Sequence, residues 1–177
     1  MRRCLAVLAV ACVGCSAPDP APPSAGTDPA CTVGLDVDTS GWAAVVEQDF
    51  AFRLPPGFAE DSVRGIDSYV RQWSDAAGAV LTFDYGWYSS TLDEFRGNAQ
   101  ASDCHLEVGG RSAYLAMARG FPGDPRTESG WVVGITWRDV RQGDMATHLT
   151  MFGSAPDSAG AASLLAAMRT TVFQIEQ

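Results

Sequence analysis

The stretch AVLTFDYGW, residues 79–87, alternates between apolar and polar side chains. Successive side chains of a β-strand point to opposite faces, so this pattern predicts a strand that is buried on one side. The predicted buried face consists of Ala79, Leu81, Phe83, Tyr85 and Trp87. Tyr88 falls in the opposite phase and is expected outside the core. The turn-forming run DAAG at 75–78 separates this strand from 69–73, which predicts a β-hairpin.

The same alternation recurs on both sides of this hairpin. Residues 50–54 alternate before the strand-breaking run PPG at 55–57. Two more hairpins are predicted further along the chain, where turn-forming residues separate paired apolar runs. The predicted pairs are 105–108 with 112–119, through Gly109-Gly110, and 131–137 with 145–151, through 141–144. Alternation of this kind is typical of antiparallel sheets that have one covered face.

The C-terminal part of the chain changes to helical spacing. Ala161, Leu164, Leu165 and Met168 recur at three- and four-residue intervals, which predicts a helix from about residue 157 to 170. Its N-cap is Ser154 or Asp157. A shorter helix or turn is predicted within 91–99. The expected fold class is therefore α+β: a mostly antiparallel sheet of six or seven strands with a C-terminal helix packed on it, after a signal peptide and a disordered linker.

The order of these parts resembles the PsbP-like α/β/α sandwich over residues 45–175. An aromatic strand leads into LPPGF at 54–58, hairpins follow one another, and the last helix is followed by Val172-Phe173. The run FDYG at 83–86 is also similar to uncharacterised exported bacterial domains. The resemblance implies a fold that hosts binding and assembly proteins more often than enzymes, although fold alone does not decide function.

The N-terminus has the features of an export signal. Two arginines precede ten apolar residues at 4–13, which suit a signal peptide and are too few to span a bilayer. The end of this run, VGCS at 13–16, resembles a bacterial lipoprotein signal, which implies lipidation of Cys15. The family's usual Leu three positions earlier is Cys12 here. The run AVAC at 9–12 would instead place the lipid on Cys12, and a secretory signal cleaved near Ala17 is the third alternative.

The lipoprotein interpretation divides the chain into three parts. Residues 1–14 are the signal peptide, 15–30 are a lipid-anchored linker rich in Pro and Ala, and 31–177 form a single α+β domain. Residues 16–30 contain five prolines and no large apolar residue, which predicts a disordered spacer. We therefore expect the protein at the bacterial cell envelope, held to a membrane by its lipid on the exported side.

Two cysteines remain outside the signal and the lipid site. Cys31 and Cys104 form an even pair in a chain that carries export features, so we expect a structural disulfide between them. A redox or metal role would call for a C-x-x-C motif or a set of nearby ligands. Only His105 lies beside this pair in the sequence.

Charge and composition exclude several functions. The chain has 12 arginines, no lysine and 21 acidic residues, for a formal net charge of −9. A nucleic-acid partner is not expected, because such proteins need a basic face to displace counterions from phosphates. Without lysine there is no P-loop, no Schiff base and no S-x-x-K nucleophile. We expect no cofactor.

One segment fits the pattern of a calcium-binding loop. Asp36, Asp38, Ser40 and Glu47 occupy the first, third, fifth and twelfth positions of an EF-hand loop, with Gly41 at the sixth. Against a calcium site, Ala44 occupies a ligand-related position and residues 31–35 are too few for an entering helix. The alternative interpretation is a turn that leads into a strand.

The histidines are the remaining candidates for catalysis. His105 and His148 could each serve a hydrolase, because triads are defined by geometry rather than by sequence order. No G-x-S-x-G or H-E-x-x-H motif accompanies them, so we assign no catalytic residue and expect both to be surface or hydrogen-bonded strand residues.

These observations together predict a membrane-tethered binding or assembly module rather than an enzyme. Its partner would be an envelope protein or a small ligand, besides the membrane that holds the anchor. The polar loop at 120–130 is the longest connection, and recognition is often located on such loops. A hydrolase that uses His105 or His148 and a calcium-binding domain are the alternatives.

Overall fold

The computed structural model describes residues 29–96, 98–120, 130–141 and 147–174. The predicted signal peptide, both candidate lipidation cysteines, nearly all of the linker and the central part of the 120–130 loop lie outside these residues. No helix in the described ranges is long and apolar enough to cross a membrane.

Strands make up most of the described chain. They are β1 (Ala43–Val46), β2 (Phe50–Leu54), β3 (Ala59–Asp61), β4 (Tyr69–Ser74), β5 (Val80–Gly86), β6 (Ala101–Val108), β7 (Arg111–Arg119), β8 (Trp131–Arg141), β9 (Thr147–Ala155) and β10 (Val172–Phe173). The helices are α1 (Pro29–Thr32) and α2 (Ser158–Arg169), with a 3₁₀ turn at Asp93–Phe95. The α+β class is confirmed, and so is the strand pairing of all three predicted hairpins. Residues 142–144 of the third predicted turn lie outside the described residues.

Seven strands form one antiparallel sheet in the order β3-β4-β5-β9-β8-β7-β6. The strand quoted first above, β5, lies inside this sheet between β4 and β9. Its pairing places Phe83 opposite Met151 of β9, and Met151 opposite Ile135 of β8. These apolar side chains therefore share one face, which we call the inner face, and all three are buried.

Two elements cover the inner face. The first is α2, whose Leu164, Leu165 and Met168 are fully buried. Asp157 is its N-cap and accepts a hydrogen bond from the Gly160 amide at 2.8 Å, so Asp157 rather than Ser154 fills the predicted position. The second is a three-stranded sheet, β1-β2-β10, which the sequence did not predict as a separate sheet. Aromatic rings join it to the main sheet, with Phe50 packed edge-on against Phe83 at 5.2 Å.

The predicted disulfide is confirmed and attaches α1 to the main sheet. It joins Cys31 to Cys104 of β6 across a sequence separation of 73. Ala30 is buried in the core, so the packed structure begins slightly before residue 31. Arg169, at the end of α2, makes a second attachment by donating hydrogen bonds to the carbonyls of Cys31 and Val33.

The opposite face of the main sheet, the outer face, is covered only in part. The segment after β5 folds back over it, and Leu92 and Phe95 pack against Tyr114 and its neighbours on β7. Tyr88 is exposed, as predicted. The prediction that Trp87 lies in the core is wrong: β5 ends at Gly86, so its alternation stops there and Trp87 is 52% exposed.

Candidate ligand-binding cleft

A cleft of about 330 Å³ opens between the small sheet, the β4–β5 turn and the start of α2. Four separate segments of the chain contribute to it. The lining residues are Val37, Asp38, Trp42, Pro55, Pro56, Phe58, Asp75, Ala79, Gly160 and Ser163. We call it the aromatic–acidic cleft. Its volume lies at the lower end of the range of small-molecule sites, which is about 300–1,000 Å³.

The apolar wall of this cleft is built on ordered elements. Trp42 directly precedes β1, and its side chain packs against the core together with that of Phe58. Pro55 and Pro56 directly follow β2, where the missing amide hydrogens end strand pairing. Gly57 has a φ of +87° and lets the chain turn back toward β3. The two rings and the prolines are therefore held in place before any ligand arrives.

Two carboxylates supply the polar side of the cleft. Asp38 accepts a hydrogen bond from the Ser40 amide at 2.9 Å, and this bond lowers the pKa of Asp38. Asp75 uses Oδ1 to accept the amides of Ala77 and Ala79 in the β4–β5 turn. No hydrogen bond from the described residues reaches its second oxygen, Oδ2. The turns that they close thus fix the direction of both side chains.

The predicted calcium loop contributes to this cleft in a different way. Asp38 lines it, but Glu47 is ion-paired with Arg71 of β4 and accepts a hydrogen bond from Tyr69. Nowhere in the described residues do three His, Cys, Asp or Glu side chains gather as metal ligands would. Residues 38–40 instead form an Asx turn shortly before β1, as the alternative interpretation expected. Calcium binding by Asp36, Asp38, Ser40 and Glu47 stays a sequence prediction.

A smaller cleft of about 170 Å³ lies on the outer face and contains one of the two candidate histidines. It is lined by Arg96, His105, Ser112, Ala113, Tyr114, Thr136 and Arg138. Asp93 bridges the two arginines at its edge, 2.9 Å from Arg96 and 3.0 Å from Arg138. A hydrogen bond from Thr91 and the charges of these arginines lower the pKa of Asp93. Much of the cationic charge in this cleft is therefore already paired.

The two histidines occupy different surroundings. His105 lies on β6 with its ring 5.4 Å from that of Tyr114, whose hydroxyl donates to Asp103 at 2.6 Å. Burial, and then this bond to Asp103, raise the pKa of Tyr114. His148, on β9, has a buried Nδ1 that has no hydrogen-bond partner within the part of the chain that the structure describes. Among the described residues, neither imidazole is hydrogen-bonded to a serine hydroxyl or a carboxylate.

Comparison with known proteins adds little to this picture. No family model matches the chain, and no curated protein matches it significantly. A solved structure from Bacteroides thetaiotaomicron VPI-5482 is similar with a TM-score of 0.41 and 14% identity. The similar region covers 72% of this chain and 46% of the Bacteroides chain. This chain therefore spans about half of the length of the Bacteroides chain.

The sequence did not predict that the segments lining the aromatic–acidic cleft lie together. The spacing of residues 36–47 predicts a calcium loop, and residues 54–58 belong to a fold resemblance. For Asp75 the sequence predicts only a place in a turn. No local pattern connects these segments, because the pairing of β1 with β2 and the packing of α2 against β2 bring them together.

Proposed function

We propose that this chain is a lipid-anchored binding protein of the bacterial envelope, and that the aromatic–acidic cleft takes its ligand. The observation that carries the binding role is the cleft itself, in which Trp42, Phe58 and two prolines form an apolar wall beside Asp38 and Asp75. Ligand sites of proteins generally combine such walls with a few fixed polar groups.

The anchor rests on the sequence of residues 1–16. The apolar run is too short to span a bilayer, and VGCS at 13–16 resembles a lipoprotein signal that would leave a lipid on Cys15. The protein surface is a poor alternative for membrane attachment, because a net charge of −9 is repelled by anionic headgroups. A lipid on Cys15 and the proline-rich spacer would keep the domain at the membrane and still let it collect ligand.

The Cys31–Cys104 disulfide agrees with this location. Structural disulfides form and persist in oxidising compartments, which include the bacterial periplasm and the cell surface. The bond fixes the point at which the spacer meets the domain, since Cys31 belongs to α1.

Native mass spectrometry of the protein extracted from its host's membranes tests this proposal. We expect a mass that includes a diacylglyceryl group on Cys15 and a small molecule that is retained by the wild type. Trp42→Ala, which removes one wall of the cleft, should lose the small molecule and keep the lipid. A species without lipid would overturn the anchor, and a lipidated protein that is equally bare in wild type and variant would overturn the binding role.

A hydrolase on the outer face is the second candidate function. The observation in its favour is that His105 and Ser112 line the same small cleft. They lie on neighbouring strands, since His105 is paired with Tyr114 and Ser112 is paired with Glu107. A general base next to a hydroxyl is the arrangement that nucleophilic catalysis requires. Turnover of ester substrates by the wild type that survives both His105→Ala and Ser112→Ala would exclude this site.

A further inference from the structure

Large apolar side chains are exposed together at one end of the main sheet. Trp87 and Tyr88 directly follow β5, and their rings stack with centroids 5.5 Å apart. Ile66 lies in the loop between β3 and β4, and its side chain is fully exposed. The two loops are neighbours, because a β-carbon placed on Gly86 would lie 3.3 Å from Cβ of Ser68. We call Ile66, Trp87 and Tyr88 the aromatic tip.

Packing within the domain does not account for the aromatic tip. Neither apolar cluster of the described residues includes any of its three side chains. Trp87 is also the exposed one of the five tryptophans, since the other four are buried or packed against the core. Exposed apolar side chains that lie together generally mark a surface that contacts a membrane or another protein.

The composition of the aromatic tip favours a membrane. Tryptophan and tyrosine are enriched where a bilayer meets water, because their rings are apolar with one polar group. Arg64 and Asp67 flank Ile66 and carry one charge of each sign, so this loop has no net charge to attract a charged partner. The net charge of the whole chain is −9, so contact with a bilayer would depend on these apolar side chains.

The chain enters the domain at the other end of the sheet. His148, near the start of β9, is paired with Gly86, and Ala155, at the end of β9, is paired with Trp131. Pro29 and Trp131 line the same small cleft. The aromatic tip and the first described residue thus lie at opposite ends of β9, a strand of nine residues that is about 30 Å long.

The predicted spacer is long enough to let the aromatic tip reach the membrane. Residues 16–28 can span roughly 45 Å when fully extended, which exceeds the length of β9. A lipid on Cys15 and the aromatic tip can therefore occupy the same membrane. The anchor would keep the tip close to the bilayer at a high effective concentration, so that a weak apolar contact suffices.

From this geometry we infer that the aromatic tip inserts into the interface of the membrane that holds the lipid anchor. The inference rests on the proposed anchor and adds a second contact with the bilayer. Ile66 enters the apolar region, and the rings of Trp87 and Tyr88 lie at the level of the headgroups. The aromatic–acidic cleft then faces away from the membrane, because its Ala79 precedes β5 at the end opposite to Gly86.

Quenching of tryptophan fluorescence tests this inference. The lipidated protein is extracted from its host and reconstituted into phosphatidylcholine vesicles, in which part of the lipid carries bromine on its acyl chains. Bromine quenches tryptophans that lie within the bilayer, and flotation of the vesicles shows whether the anchor holds the protein. We expect the wild type to float and to be quenched. Trp87→Phe keeps an apolar ring but removes the reporter, so it should float and lose this quenching.

A second variant tests whether the loops of the aromatic tip insert together. Ile66→Asp should leave the fold intact, because the side chain is fully exposed, and circular dichroism verifies this. A carboxylate is costly in the apolar region, so we expect this variant to float and to lose most of the quenching of Trp87. Leu35→Asp is the matched control. Leu35 is also a large exposed side chain, but it follows Gly34, which lies beside Ala162 of α2.

Three outcomes overturn the inference. They are a wild type that floats without being quenched, quenching that Trp87→Phe retains, and equal quenching of the Ile66→Asp and Leu35→Asp variants. Failure of the inference is distinguishable from failure of the anchor. A wild type that does not float overturns the anchor and the inference with it. A wild type that floats with Trp87 unquenched is anchored, and its aromatic tip is then left for a protein partner.

Discussion

The side chain of Leu92 fills the space directly above Gly134. A β-carbon placed on Gly134 would lie 2.8 Å from Cδ1 of Leu92, closer than such atoms approach in proteins. Leu92 itself has a φ of +57°, in the left-handed region that costs a branched residue energy. Its buried side chain holds the segment after β5 onto the outer face, so the strain is offset by packing. Asp93 and Arg96, which border the outer cleft, come directly after Leu92 in the chain, so this contact also positions them.

Gly134→Ala should therefore destabilise the protein, although a strand tolerates alanine better than glycine. The added methyl group must push Leu92 outward, and overpacking of this kind costs about 1–3 kcal/mol. Urea unfolding followed by tryptophan fluorescence measures the change. Gly41→Ala is the matched control, because nothing lies within 4 Å of its added β-carbon. Equal stability of the two variants would contradict the contact.

Asp157→Ala should loosen the start of α2. The carboxylate accepts the Gly160 amide at 2.8 Å, and the loss of an N-cap typically costs about 1 kcal/mol. Asp157→Ser keeps an acceptor oxygen and should recover most of the loss. Thermal unfolding of both variants measures the difference. If the serine variant is as unstable as the alanine variant, the cap bond does not contribute.

Glu60 should make stability depend on acid pH. Hydrogen bonds from Arg71, of 2.8 and 2.6 Å, lower the pKa of Glu60 below its ordinary value of 4.5. The folded state thus favours the charged form, and the contribution is fully present above pH 4.5 and is lost as the pH falls through the lower, folded-state value. Glu60→Gln should be less stable than wild type at pH 7. This difference in the free energy of unfolding should disappear in acid.

A double-mutant cycle isolates this pair from the other carboxylates. In an Arg71→Met background, Glu60→Gln should have little effect at either pH. Unfolding by urea at pH 7 and at about pH 3 supplies the four free energies at each pH. If Glu60→Gln changes the free energy of unfolding by the same amount without Arg71, the acid dependence comes from groups other than this pair.

The parts of the fold that could be predicted are those set by neighbouring residues. Period-two alternation and turn residues sufficed for the three hairpins, because the two strands of a hairpin are joined by a short loop. The three-stranded sheet could not be found in this way. Its β10 is only the two residues Val172–Phe173, and it pairs with β2 from the far end of the chain. Such long-range pairing leaves no local signal.

The candidate site shows the same limit. The oxygen-bearing residues at 36–47 matched a calcium loop by spacing alone, but Glu47 is engaged by Arg71, which comes from a different hairpin. Conversely, Trp42 and Asp75 had no feature in common until the fold placed both in one cleft. Spacing identifies sites that a single segment builds, whereas sites built from several segments require the tertiary structure.

The attachment of α1 gives the last prediction. The disulfide closes a long loop, so its loss through Cys31→Ser with Cys104→Ser should cost about 4 kcal/mol by restoring freedom to the unfolded chain. Arg169 remains as a second attachment, because it is half-buried and its hydrogen bonds to Cys31 and Val33 satisfy carbonyls of that segment. We therefore expect α1 to stay docked in the serine variant and to be released only when Arg169→Met is added. Amide hydrogen exchange in residues 30–36 measures docking, and urea unfolding measures stability. Rapid exchange in the serine variant alone would show that the disulfide, not Arg169, holds α1 in place.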